Sequence, residues 1–260
     1  MKPIVYFAFL SVLVLPACSN VYSPSKGALR PPANLAGFVA VGDSSAIADN
    51  LTAFRAALGG GLNLPNSPAS DSGRREINWD GVPAALTNVD TFPPDFFNVN
   101  SKRGALLSTP GTGLRIDSTA FASINADLGA EFKAFSPKKL FMAVGSNQVA
   151  VDFQVVGTTT TGLVKGFGVV FSDVDRAGSS RVDFFDATGH RIGSVEALAN
   201  PGSQQFSFAG AVFDSAIVAR VLITSGDSAL TATNTDLSAG GTLDLVTMDD
   251  FVYGEPQPLQ

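Results

Sequence analysis

The chain has 260 residues, a formal net charge of −6 and a single cysteine. Its acidity argues against a nucleic-acid partner, because phosphate backbones are gripped by basic patches, and one thiol excludes a framework of intrachain disulfides. Charged residues make up only 15%, while Phe reaches 20 copies against one Trp and three Tyr. That balance stocks a β core with aromatic side chains and leaves a polar, weakly charged surface.

The N-terminus reads as an export signal. Lys2 precedes an apolar run from Ile4 to Leu15, too short to span a bilayer, and a small residue stands before the expected cut. The segment Leu15-Pro16-Ala17-Cys18 resembles the bacterial lipobox. That resemblance implies a lipid on the Cys18 thiol, a membrane partner reached through it, and cleavage after residue 17. It also implies that Ser19, rather than Asp, directs a Gram-negative lipoprotein to the outer membrane. Loss of residues 1–17 removes Lys2 and takes the net charge from −6 to −7. Residues 18–42 carry Ser, Pro, Gly and Asn without a sustained period and are expected to form a lipidated tether.

Residues 43–75 are expected to hold one helix and a Gly/Pro-rich loop. Asp43 or Ser44 can cap a helix whose apolar positions Ile47, Leu51, Phe54 and Leu58 recur at spacings of four, three and four, and Gly59-Gly60-Gly61 ends it. Pro65, Pro68, Asp71, Ser72 and Gly73 mark the turns that follow.

From residue 76 to 260 the pattern is β. Leu140 to Val144, Val149 to Val156, Gly166 to Phe171, Arg181 to Phe185, Gln205 to Phe208, Ile217 to Thr224 and Leu243 to Val252 are rich in β-branched and aromatic residues, with turn signals between them. Partial alternation in Val149 to Val155 and in Val218 to Ile223 predicts one face on a core and the other in solvent. Roughly ten such strands without a fixed-period repeat predict an all-β fold, a two-sheet β-sandwich or jelly roll with one N-terminal helix.

Few side chains suit familiar catalysis, and no catalytic residue is assigned. The only histidine, His190, lies in Asp186-Ala187-Thr188-Gly189-His190, which reads as a hairpin turn. No Gly-x-Ser-x-Gly elbow is present, zinc sites built on several His or Cys cannot be assembled, and Gly59-Gly60-Gly61 follows a helix where a phosphate loop would precede one. Carboxylates remain, with 19 Asp and four Glu. Asp173 and Asp175, spaced by two, and the pair Asp249 and Asp250 are candidate ligands for a structural calcium, because hard cations take several oxygens. The segment Gly73 to Val82 gathers Glu76, Trp79 and Asp80. Trp79 and Tyr253, or loop rings such as Phe92, Phe96 and Phe97, could stack on a sugar beside Glu76 and Asp80. In the core reading, Trp79 packs inside and Arg75 pairs with Glu76.

The motifs Phe54 to Gly61, Gly73 to Val82, Phe96 to Ser101, Ser108 to Gly113, Gly166 to Asp175 and Met248 to Pro256 together resemble an uncharacterised family of secreted bacterial proteins. That resemblance covers nearly all of the mature chain and implies export and a β fold, without an activity. The closing strand, Leu245 to Tyr253, is also similar to the last strand of carbohydrate-binding jelly rolls, where an aspartate pair precedes an aromatic. The expectation is an envelope protein, lipid-anchored on the periplasmic or outer face, whose non-catalytic sandwich binds an extracellular glycan or mediates adhesion. The alternatives are a polysaccharide hydrolase or lyase using Glu76 and Asp80, and a purely structural envelope lipoprotein.

Overall fold

The computed structural model describes residues 34–59 and 61–259. The expected signal peptide, Cys18 and the first part of the tether lie outside the described residues. The strands are β1 (Leu35–Gly42), β2 (Arg74–Ile77), β3 (Ala105–Ser108), β4 (Gly113–Asp117), β5 (Leu140–Val144), β6 (Gln148–Phe153), β7 (Gly162–Leu163), β8 (Gly166–Ser172), β9 (Arg181–Phe185), β10 (Arg191–Glu196), β11 (Phe206–Phe213), β12 (Arg220–Thr224), β13 (Thr247–Gly254) and β14 (Gln257–Pro258). The α-helices are α1 (Ser44–Leu58), α2 (Phe96–Val99) and α3 (Leu128–Glu131). The protein is an all-β sandwich. Seven strands form one sheet in the order β1-β11-β8-β13-β5-β4 with β2 also on β13, five form the second in the order β10-β9-β12-β6-β3, and β14 pairs with β7.

The first sheet is covered on both faces. Its inner face meets the second sheet in a core that includes Phe141, Phe171 and Phe251 from one sheet and Val151, Phe184, Val221 and Ile223 from the other. On its outer face lies α1, whose Ile47, Leu51, Phe54 and Leu58 pack against Val170, Phe206, Phe208 and Val252. Every residue of β8, β11 and β13 is therefore buried and no alternation survives. The helix is the one the sequence spacing predicts: the Asp43 carboxylate accepts from the amides of Ser45 and Ala46, and Gly59 ends it at φ 84.

Part of the expected tether belongs to the fold. Residues 35–42 form β1, an edge strand that pairs with β11 from Leu35↔Phe213 to Gly42↔Phe206. Its residues are half or fully exposed; Phe38 and Ala40 pack against the α1 cluster, but the glycines and alanines around them leave only a weak apolar pattern in the sequence. The second sheet leaves its outer face to solvent. In β12 Arg220 is exposed and Leu222 half exposed, while Val221 and Ile223 point inward, as the alternation predicts.

Candidate functional site

Three strands build an open groove of mixed polar and apolar lining on the solvent face of the second sheet. Arg220 of β12 lies opposite Asp152 of β6 on one side and Phe185 of β9 on the other, so these three side chains form a row across the sheet. The Arg220 guanidinium stands 3.6 Å from the Asp152 carboxylate, and both are partly exposed. Burial holds the Asp152 carboxyl above its usual range, with Arg220 acting against it. Gln154 and Thr161 border one end, and the β9–β10 hairpin, through Asp186, Ala187 and Gly189, borders the other; the groove encloses about 510 Å³. The hairpin is rigidified by Asp186, which accepts from the amides of Thr188 and His190 and from the Thr188 hydroxyl. His190 sits in this turn, as expected, with its Nδ1 2.8 Å from the Thr188 hydroxyl.

The rings expected to meet a sugar are inside the protein. Trp79 is 1% exposed, stacks on Phe141 with centroids 4.1 Å apart, and donates from Nε1 to the Asp249 carbonyl at 3.0 Å. Tyr253 is fully buried against Phe153, and its hydroxyl donates to the Arg103 carbonyl. Phe92, Phe96 and Phe97 are likewise buried. A cavity beside Trp79 has a volume of about 30 Å³, space for a water molecule but not for a sugar ring.

Glu76 is clamped by Arg55 of α1 and by Arg74, at 2.8 and 2.7 Å. Burial alone would raise its carboxyl, but these two cations outweigh that and hold it below the usual range, the wrong direction for a general acid. Asp80 is raised by burial, with Lys139 opposing. The expected Arg75–Glu76 pair does not form. Consecutive strand residues face opposite ways, and Arg75 turns to Glu255, 2.5 Å away with both side chains almost fully buried.

The four aspartates proposed as metal ligands separate into two places. Asp249 and Asp250 occupy a bulge in β13, where three steps from Met248 to Phe251 match two steps on β8. The Asp249 carboxylate is consumed by the amides of Phe135 and Ser136 and by the Ser136 hydroxyl. Burial first, then the neighbouring Asp250 charge, pushes it up to about 9. This pair is not among the groups with metal-ligand spacing.

Asp173 and Asp175, in the loop after β8, join a buried acidic pocket with three residues that sequence reasoning missed. Glu131 at the end of α3, Asp173 and Asp236 place one carboxylate oxygen each within 4.8 Å of one another; Asp175, Asp236 and Asp244 do the same. Asp236 is common to both sets. Its carboxylate is fixed by the amides of Ser238 and Leu245, each at 2.7 Å. Asp244 accepts from the amides of Asp175 and Arg176, and Asp175 from the amide of Gly202. Ser203 and Ser238 hydroxyls reach Glu131 at 2.7 and 2.6 Å. Both Asp173 oxygens and one Asp175 oxygen are buried without a hydrogen-bond partner. Burial, followed by the charges of Asp236, Asp175, Glu131 and Asp244, pushes Asp173 up to about 9. Glu131, Asp236 and Asp244 stand far from the Asp173-x-Asp175 signal in sequence, and nothing local marks them as its partners.

The fold and site therefore define an all-β sandwich with a solvent-facing groove and a separate buried acidic pocket. No protein-family model and no curated protein sequence matches the chain. Among solved structures, a glycoside hydrolase family 43 arabinoxylan arabinofuranohydrolase from Bacillus subtilis, in complex with cellotetraose, is 13% identical over 56% of this chain and 25% of its own, with a TM-score of 0.28. TmCBM61, in complex with β-1,4-galactotriose, is 11% identical over 63% of this chain and 90% of its own, also with a TM-score of 0.28. Tailspike protein 4 of bacteriophage CBA120 is 13% identical over 55% of this chain and 21% of its own, with a TM-score of 0.18. None of these likenesses defines a family for the chain.

Proposed function

We propose that the chain is an exported, lipid-anchored, non-catalytic module that binds an extracellular glycan in the groove of the second sheet. The carrying observation is the row Phe185–Arg220–Asp152 on a solvent-facing sheet. A half-buried aromatic ring offers a stacking surface for the apolar face of a sugar, and an adjacent guanidinium and carboxylate supply donors and acceptors for vicinal hydroxyls. A groove of about 510 Å³ is the size of a small-ligand site. Export and the Cys18 anchor rest on the lipobox-like sequence, which would hold the groove at the envelope, where polysaccharides occur.

The test uses the full-length chain, extracted in detergent, on an array of bacterial and plant polysaccharides. Retention by at least one glycan class is expected, with Arg220→Ala and Phe185→Ala each weakening it about tenfold, the factor that corresponds to 1.4 kcal/mol. Arg220→Ala should leave the melting temperature within about 2 °C, since an exposed pair contributes little. Cys18→Ser should release the protein from the membrane fraction without altering glycan retention. Unchanged retention in both groove variants, or no retention on any glycan, would overturn the reading.

A further inference from the structure

We propose that the buried acidic pocket of Glu131, Asp173, Asp175, Asp236 and Asp244 is a calcium site that fastens the loop after β8 to the segment between β12 and β13. This inference is independent of glycan binding. Its geometry is the first support. Two oxygens on one calcium lie at most about 5 Å apart, twice a bond of 2.3–2.6 Å, and each of the two triads meets that limit.

Charge is the second support. Five carboxylates converge in a buried space, and the four charges that weigh most on Asp173 are all acidic. The nearest cation in sequence, Arg176, turns its guanidinium outward to Asp227 and to the Thr242 carbonyl. A set of this kind without a counter-charge is expensive in a low-dielectric interior, and a divalent ion removes most of that cost.

The unpartnered side chain is the third. Asp173 is fully buried, yet neither of its oxygens is met by a donor, although its backbone amide is fixed by the Gln205 carbonyl. The other members are held by amides and serine hydroxyls that set their orientation. Asp173 thus brings two carboxylate oxygens without a hydrogen-bond partner to the side of Glu131 and Asp236. Donor chemistry selects the ion: every candidate ligand is a carboxylate oxygen, with no His or Cys in either triad. Ligands drawn from α3 and irregular loops suit the flexible, high coordination of calcium better than the strict octahedron of magnesium.

What the ion would do follows from what it touches. Residues 225–246 connect β12 to β13 with only isolated bridges, Gly226↔Leu245 and Asp236↔Leu243. Asp236 and Asp244 are this segment's contribution to the pocket, so calcium would bind the connection to α3 and to the loop after β8.

The test begins with the full chain stripped by EDTA and dialysed, then titrated with calcium chloride by calorimetry and by thermal melting. Uptake of one or two ions per chain is expected, with half-saturation at or below about 1 mM, the range of extracellular modules. A rise in melting temperature of about 5–10 °C is expected at a hundredfold excess over Kd. Cleavage within 225–246 by a nonspecific protease should be fast in EDTA and suppressed by calcium. Asp173→Asn and Asp236→Asn should abolish the calcium-dependent shift; should either fail to fold, the wild-type titration and protection decide alone. Wild-type protein that takes up no calcium at about 5 mM, far above that range, would overturn the proposal, as would Asp173→Asn retaining the full shift or magnesium reproducing it at equal concentration.

Discussion

Arg75 shows how one residue's direction decides its chemistry. Its guanidinium donates to both Glu255 oxygens and to the carbonyls of Leu64 and Pro68, so both charges are enclosed and saturated. Arg75→Ala would leave Glu255 as a buried charge without its partner, and the loss in stability by denaturant unfolding is expected at about 3–5 kcal/mol. Glu76→Gln, on the opposite face of β2, removes a more exposed interaction with Arg55 and Arg74 and should cost about 1 kcal/mol. Equal losses in the two variants would contradict this division. The composition of the segment Gly73 to Val82 was readable as functional or structural, and burial settles it: Arg75 and Trp79 are structural. What the sequence could not convey was the partner, because Glu255 lies 180 residues away.

At the scale of elements, α1 was legible because its cap, its 3.6-residue spacing and its terminal glycine agree. Short strands with β-branched runs, such as Leu140–Val144 and Arg181–Phe185, were legible for the same reason of local consistency. β1 was not, since Leu35–Gly42 carries two glycines and two alanines, and only its pairing with β11 brings Phe38 and Ala40 against the cluster under α1. The packing of α1 on its sheet has a condition that only the structure reveals. Phe54 reaches the sheet where β8 and β11 carry Gly168 and Gly210 opposite one another. A Cβ at Gly210 would meet the Gly168 Cα at 2.8 Å and the Phe54 ring at 3.0 Å. The first of these is backbone and cannot rotate away. Gly210→Ala is therefore expected to destabilise by about 1–3 kcal/mol through overpacking, measured by urea unfolding, and wild-type stability in that variant would show that α1 sits more loosely than its contacts imply.

For the whole molecule, the acidic groups divide into two sets whose opposed titrations shape stability. Glu76, Asp117 and Asp183 are held below their usual range: burial opposes ionisation in each, and bonds from arginines, hydroxyls or amides outweigh it. Their stabilising contribution is present above about pH 4 and fades as the pH falls below it. Asp173 and Asp249 are pushed up to about 9, burial being the largest cause in each. Between the usual carboxylate value near 4 and 9 the folded chain keeps protons that the unfolded chain releases, so these groups favour the fold at low pH and that advantage is lost as the pH rises through 9. Metal-free protein should consequently melt highest near pH 5 and progressively lower towards pH 9. Calcium bound as proposed would reverse the sign at one of the two positions. An ion bound by Asp173, facing Glu131, Asp175, Asp236 and Asp244, displaces the proton that Asp173 would otherwise retain, so calcium affinity should climb with pH and binding should release protons. Asp249 lies outside both triads and continues to weaken the fold with rising pH whether calcium is present or not. Melting curves from pH 5 to 9, with EDTA and with calcium, should therefore diverge as the pH rises, and calorimetry in two buffers of different ionisation enthalpy should detect the released proton. Parallel curves would mean that the ion and the Asp173 proton do not compete for one carboxylate, and a flat metal-free curve would mean that neither aspartate retains its proton in the fold.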